Sequence, residues 1–527
     1  MLAGVGIPAA SGILAACSTA PTASASRTGA LKSLSVASYG NAETLDPMAS
    51  LDGQSPLLWR ASYERLISYK GNTTQYTPEL AQSYEISPDG TTYTFHLRPD
   101  VTFTDGEHMD SAAWKLSLER QIAINQGMAY ALAGVVSKIE TPDDMTFVVR
   151  TNGFSDAFIS AFSSNYGLFV ISPKAITDHK GTDWAQSYLR SNMVGTGPYI
   201  LQSYTPEVSA TFVRNPHYWR GWTGNHADTI TVSYVHEAST AELQMEGGSL
   251  DSAVLLPDNV VASLATQPGV TVLEYPSLNL QYLGLNCQRT PTSDVRVRQA
   301  IAYGFDYETY VKNINSSYAL AKQALGPIPT TMTEFSGGLP VYSYDPQRAK
   351  SLLAQAGYPK GGFTLTCAVQ DAYPWTAEMA QLFQSNMSAL GITVQPRSMA
   401  ASEFDGTESN PKTALDSVPL VWWPTLNTPY DYLFALYDTK AQGTAGYNYA
   451  YYSNPTFDST LNKAYGESDP TRRVALFKRA EQIAMQDVPY LCVMQQPYRE
   501  PQLNSVRGFQ FNGFYIYTYD FYNMYVA

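Results

Sequence analysis

Two short runs of alternating apolar residues, FTLTCAV at 363–369 and GITVQP at 391–396, bracket a helical pattern at 376–389. Strand, helix and strand in that order point to an α/β lobe, because a crossover helix must bury its apolar stripe on the sheet it joins. The neighbouring punctuation agrees. Asp345-Pro346 sets an N-cap and a proline at the first helical position. Ala349, Leu352, Leu353 and Ala356 then fall on one face, and Gly357 followed by Pro359 ends the helix. Asp469-Pro470 repeats the device, with Val474, Phe477, Ala480 and Ala484 as the inner face. Earlier in the chain, the turn SPDG at 87–90 precedes alternating Tyr93, Phe95 and Leu97, and Val101 and Phe103 are expected to resume that alternation as a hairpin with one buried face. A helix near 112–120 follows, capped by Asp110 or Ser111. No internal repeat is present, and the architecture reads as mixed α/β throughout.

With 527 residues the chain exceeds one core, so two or three domains are expected. Its net charge of −13 and lack of any basic run argue against nucleic-acid binding. The 38 tyrosines outnumber the 33 basic residues. Aromatic-rich strand packing accounts for most of them, and the excess also suits a wet, aromatic-lined contact surface. The N-terminus is apolar, then small, then reaches Cys17 through Leu14-Ala15-Ala16, a sequence that resembles the lipobox of bacterial lipoproteins. The Ser/Thr/Ala/Pro-rich stretch after it reads as a flexible tether. No Lys or Arg precedes Arg27, so the positive region of a signal peptide is missing and the true start is expected upstream. The chain is expected to be exported and anchored by lipid on Cys17. Cys287, Cys367 and Cys492 lie in apolar stretches, which fits small buried hydrophobes; at most one disulfide could form among them.

The constellations an enzyme needs are missing. The six histidines are scattered, and none has another His or Cys at zinc-ligand spacing. There is no nucleophile elbow, P-loop or H-E-x-x-H. Gly195-Thr196-Gly197-Pro198 lacks the third glycine of a dinucleotide loop, and its proline removes an N–H that a phosphate would need. Carboxylate pairs leave no spacing signature, so an exported hydrolase stays as a distant alternative. No cofactor and no metal are expected.

Residues 78–109, PELAQSYEISPDGTTYTFHLRPDVTFTDGEHM, closely resemble the signature block of the extracellular solute-binding proteins, family 5 (peptide/nickel/opine type), of bacterial ABC importers. The likeness continues in order through Leu45-Asp46-Pro47, VGTGPY at 194–199, NPHYW at 215–219, YLGLNCQRTPTSDVRVRQAIAYGFD at 282–306, YDPQRAKSLLAQAGYP at 344–359, Asn448 with YSNPTFD at 452–458, and AEQIAMQDVPYLCV at 480–493. The resemblance implies a two-lobed periplasmic-binding-protein-like clamshell of the class II type with an additional domain. Residues 1–30 would be signal remnant and tether. Lobe I would combine 31–73, 190–285 and 495–527, domain II would be 74–189, and lobe III 286–494, with hinge crossings near 285 and 495.

The resemblance also implies a ligand held between the lobes, a short peptide by default, and delivery to an ABC permease with its ATPase subunits by a monomer on the outer face of the membrane. An oligosaccharide or opine-like ligand is the alternative. In PLVWWPTLNTPYDYLF, 419–434, aligning Pro429 with the family's proline puts Trp422 on its tryptophan and Thr425 where relatives carry the Asp that pairs with a peptide's α-ammonium. Thr cannot neutralise an ammonium. Asp431 is the nearest carboxylate but stands off that position. One of Trp422 and Trp423 is expected to face ligand while its neighbour packs inward. Trp422, Trp423, Thr425, Asn448 and Tyr282 are the expected ligand-facing positions, with Thr425 a determinant of specificity.

Overall fold

The computed structural model describes residues 32–371, 373–443 and 446–527; Cys17 lies outside them. Two long antiparallel strands, Val270–Leu285 and Tyr490–Leu503, run through the middle of one large sheet. On one side of the pair lie Ser417–Trp422, Thr364–Gln370 and Thr393–Met399 in that order. On the other lie Ser252–Val254, Ser33–Ser38, Thr229–Tyr234, Ser209–Arg214 and Tyr199–Thr205. Parallel pairings join Thr364–Gln370 to Thr393–Met399 and Ser33–Ser38 to Thr229–Tyr234, so each half carries the helix-covered parallel core of an α/β unit.

The pairing of the long strands is not continuous. Residues 270–275 pair with 498–503, the register then shifts between Tyr275 and Asn279, and 279–284 pair with 490–496. Pro276 and Pro497 occupy the break. Proline has no N–H to give the ladder, so a strand that must bend between two half-sheets places it there at least cost. Leu280–Leu285 already pairs with Ser417–Trp422. The residues just before 285 therefore pair with the far half of the sheet, and the break in the ladder lies at the prolines.

A separate antiparallel sheet, in the order Ala81–Ile86, Thr92–Leu97, Thr146–Thr151 and Val136–Asp143, carries the segment that most resembles the family. Tyr93, Phe95 and Leu97 alternate inward as their spacing requires. Val101 and Phe103 do not continue the strand. They are buried in a tight turn held by a bridge between Thr102 and His108. Helix Ser111–Ile124 follows, with the Asp110 carboxylate accepting from the Ala113 N–H at 2.8 Å. Its Trp114 packs on Phe147, which also meets Phe95. Arg120 on the same helix makes a bidentate ion pair with Asp46 at 3.0 and 2.5 Å, both side chains fully buried. That pair gives the Leu45-Asp46-Pro47 motif a structural reason: it ties the first segment of the large sheet to the smaller unit.

The capped helices form where their punctuation requires. Pro346–Gln355 starts at Asp345, and Pro470–Asp487 starts at Asp469. The helix expected at 376–389 begins earlier, at Pro374, because proline at the first turn leaves no needed N–H unmade. Among the described residues no helix is long and apolar enough to cross a membrane.

Glu481, on the buried face of Pro470–Asp487, is fully buried with no partner for either carboxylate oxygen. Burial pushes its pKa up to about 8, so the folded protein holds it neutral at pH 7. The unfolded chain ionises it above the ordinary value near 4.5, so stability falls as pH rises from there to about 8. Glu481→Gln removes this titration while keeping shape. Urea unfolding is expected to show the variant more stable than wild type at pH 8 by on the order of 2 kcal/mol, with the difference vanishing near pH 4.5.

Candidate functional site: the cleft between the half-sheets

A cavity of about 280 Å³ lies where the long strands bend, near the lower end of the range for small-molecule pockets. Its floor is Asn279 with Gln496, Pro497 and Tyr498 from the bend itself. One wall comes from the half carrying Ser33–Ser38: Tyr39, Gln54, and Leu255 to Asn259. The opposite wall comes from Tyr373, Pro374, Trp375 and Glu378 at the start of helix Pro374–Ser388, with Val421 and Trp423. Both halves therefore contribute side chains to one space.

Strand alternation decides the fate of the two tryptophans. Val421 and Trp423 lie two residues apart and both line the cavity, while Trp422 faces the other way. The Trp423 indole N–H donates to the Tyr166 hydroxyl at 3.1 Å, and its ring meets Tyr517 edge-on. Trp422 donates to Asp431 at 3.0 Å and packs edge-on against Tyr447.

Thr425 does not line the cavity. Its hydroxyl donates to Asp431 and lies 2.6 Å from the Tyr130 hydroxyl, its N–H donates to Asp431 at 3.1 Å, and its carbonyl accepts from Ser164 at 2.5 Å. Tyr130 and Ser164 lie in the segment 129–164 around the smaller sheet, so the loop is clamped from outside the large sheet. Asp431 is wholly engaged within its own segment, and burial lifts its pKa to about 6.

Two other expected positions are also occupied internally. Tyr282 is fully buried on the far-half strand, its hydroxyl donating to the Pro327 carbonyl at 2.8 Å. Asn448 is fully buried as well; its amide donates to the Asp438 and Tyr452 carbonyls, and its oxygen accepts from the Tyr452 N–H. Both hold the wall together from behind. Neither lines the cavity.

The charged groups that do line it went unread in the sequence. Asp258 opens helix Asp258–Leu264, accepts from the Tyr318 hydroxyl, and is held above the ordinary carboxylate range by burial. Glu378 is raised by partial burial and then by the nearby Asp258 charge. Arg499 lies over the Tyr318 ring at 5.0 Å and donates to Ser317 at 3.2 Å. Its Nε, like the Asn279 side-chain oxygen, is buried without a partner. The available signals were slight: Pro-Asp at 257–258 as a helix start and the aromatic Tyr-Pro-Trp at 373–375. No cluster able to hold a metal ion occurs among the described residues.

A bent sheet joining two α/β halves over a shared cavity defines a two-lobed binding protein. Residues 75–444 match the bacterial extracellular solute-binding proteins, family 5 (middle part), and the chain belongs to that family. It is 30% identical over 476 residues to the probable D,D-dipeptide-binding periplasmic protein of Escherichia coli, covering 89% of this chain and 90% of that one. It is 27% identical over 470 residues to heme-binding protein A of Haemophilus influenzae, covering 85% and 84% of the two chains. Among solved structures, an ABC transporter-associated periplasmic binding protein of Helicobacter pylori in complex with the peptide STSA superposes with a TM-score of 0.80 at 25% identity, over 94% of this chain and 98% of that one. A dipeptide-binding protein of Pseudoalteromonas in complex with Met-Leu gives a TM-score of 0.82 at 22% identity, over 94% and 100%. This protein is thus an exported solute-binding protein of an ABC importer, from a family of binding proteins rather than enzymes.

Thr425→Asp places a second carboxylate against Asp431, where both cannot ionise without cost. Urea unfolding at pH 7 is expected to show a loss of about 1–3 kcal/mol. The loss should shrink at pH 5, below the Asp431 pKa of about 6, where that carboxyl is protonated and can donate to its neighbour.

Proposed function

We propose that the protein captures a short peptide in this cavity and delivers it, as a monomer, to a membrane permease driven by ATPase subunits. The observation that carries the reading is a pair of unmatched groups on residues that line the cavity: a buried donor, Arg499 Nε, and a buried acceptor, the Asn279 oxygen. A peptide unit offers one C=O and one N–H, and a buried polar group without a partner costs free energy until something supplies it. The aromatic walls add contact area that tolerates varied side chains. Relatives described as binding dipeptides support the same reading.

We divide the chain as lobe I (31–73, 190–275 and 498–527), the additional domain (74–189) and lobe III (280–495), with the bend at Pro276 and Pro497 as the hinge. Ligand touching both lobes at once favours the closed form by its difference in affinity for the two states. We place the protein on the outer face of the membrane, held by lipid on Cys17.

Native mass spectrometry of freshly purified protein should show bound masses spaced as peptides. A hexose ladder would replace peptide with oligosaccharide, an opine-like mass would give the other non-peptide ligand, and turnover of any candidate would overturn the binding role. For the anchor, Cys17→Ala protein exported by a bacterial host should leave the membrane fraction on a salt wash. Retention would exclude lipid attachment at that residue.

A further inference from the structure

The cavity's charge is unbalanced, and its two carboxylates come from opposite lobes. Asp258 belongs to the helix following Ser252–Val254, and Glu378 to the helix between Thr364–Gln370 and Thr393–Met399. Among the described lining residues only Arg499 is cationic, so two carboxylates face one guanidinium. Arg499 is already spread between the Tyr318 ring and Ser317. The Tyr318 hydroxyl, which accepts from Gln496 at 2.8 Å, donates to Asp258 and fixes it at the cavity wall. Glu378 stands exposed at the rim. Asn279, 3% exposed, lines the same space, and its buried side-chain oxygen is an acceptor without a donor.

We propose that the cavity receives an ammonium group between Asp258 of one lobe and Glu378 of the other, and that this cation is required for the lobes to close. Without it, closure brings two like charges together in a space that is losing water, where their repulsion grows as the effective dielectric falls. With it, each carboxylate gains a counter-charge that neither lobe supplies, and the Asn279 oxygen can take an N–H from the same end of the ligand. The faces of Trp375 and Trp423 suit a cation or an aromatic side chain beside it. The segment 422–425, where the family resemblance places the counter-charge, has none free, because Asp431 is held by Trp422 and Thr425. The inference rests on reading this cavity as the ligand site.

The wild-type protein, titrated calorimetrically with Ala-Phe and with N-acetyl-Ala-Phe, should bind the acetylated peptide at least about tenfold more weakly. Glu378→Gln and Asp258→Asn should each weaken Ala-Phe by a similar factor while changing N-acetyl-Ala-Phe by no more than about twofold. Small-angle scattering should show Ala-Phe compacting the wild type and not Glu378→Gln. Equal wild-type affinity for the two peptides, or Ala-Phe binding untouched in both variants, overturns the proposal.

Phenethylamine and 2-phenylethanol separate it from the peptide reading. If neither peptide binds, yet phenethylamine binds in a Glu378-dependent way and phenylethanol does not, the cation site stands and the peptide reading falls. If phenethylamine fails as well, the cation site falls with it.

Discussion

Everything in this molecule hangs on the two antiparallel strands that pass between the half-sheets. Each is long enough to serve both halves, so each α/β core is completed by residues from the same two segments. The ladder is strong on either side of the bend and interrupted at Pro276 and Pro497. The two halves are therefore stiff where side chains pack and compliant where backbone bonds are absent. The cavity forms at that compliant point because the residues flanking a break cannot also fill a core.

Around this frame, part of the buried charge is held in ion pairs. Asp46 and Arg120 form a buried bidentate pair, with Arg120 Nε also donating to the Trp184 carbonyl, so truncating either would strand a charge at a cost of about 3–5 kcal/mol. Glu79 pairs with both Arg60 and Arg65, whose guanidinium groups hold its carboxyl below the ordinary range, while Arg65 Nη1 donates to the Ser163 and Ser164 carbonyls. Such pairs contribute more to fixing which segments meet than to net stability, because desolvation offsets much of their attraction. Lone buried carboxyls such as Glu481 follow the opposite rule and stay neutral.

Much of the fold was legible because its signals are local. The caps at Asp110, Asp345 and Asp469, the alternation of Tyr93, Phe95 and Leu97, and the strand–helix–strand order near 363–396 each depend on neighbours within a few residues. Alternation also separated the two tryptophans, since adjacent residues of a strand face opposite ways. The cavity was not legible on the same terms. Asp258, Glu378 and Arg499 are each more than a hundred residues apart in sequence, and only the crossover of two long strands gathers them. Tyr282 and Asn448 were read toward the ligand from their place in motifs. Both side chains are buried and hydrogen-bonded internally, off the lining of the cavity. Thr425 carried a position's meaning from relatives, but here its hydroxyl is committed to Asp431.

The position of the bend also sets the order in which grip is acquired and lost. Both crossings lie side by side, so under the proposed hinge they would define a single axis, and rotation about it would move the floor little and the rim a great deal. Asn279 and Gln496 are paired across the strands, so under that hinge they would keep nearly constant separation, whereas residues near the mouth would travel furthest. On that proposal cargo would be recognised first by groups already in place and sealed last by groups that must arrive. Arrival at the floor would govern how fast ligand is captured, and the hold at the rim would govern residence time, the quantity through which affinities of related complexes mostly differ. A receptor built this way can hand over its cargo by loosening the rim alone, with the floor unchanged and ready for the next molecule.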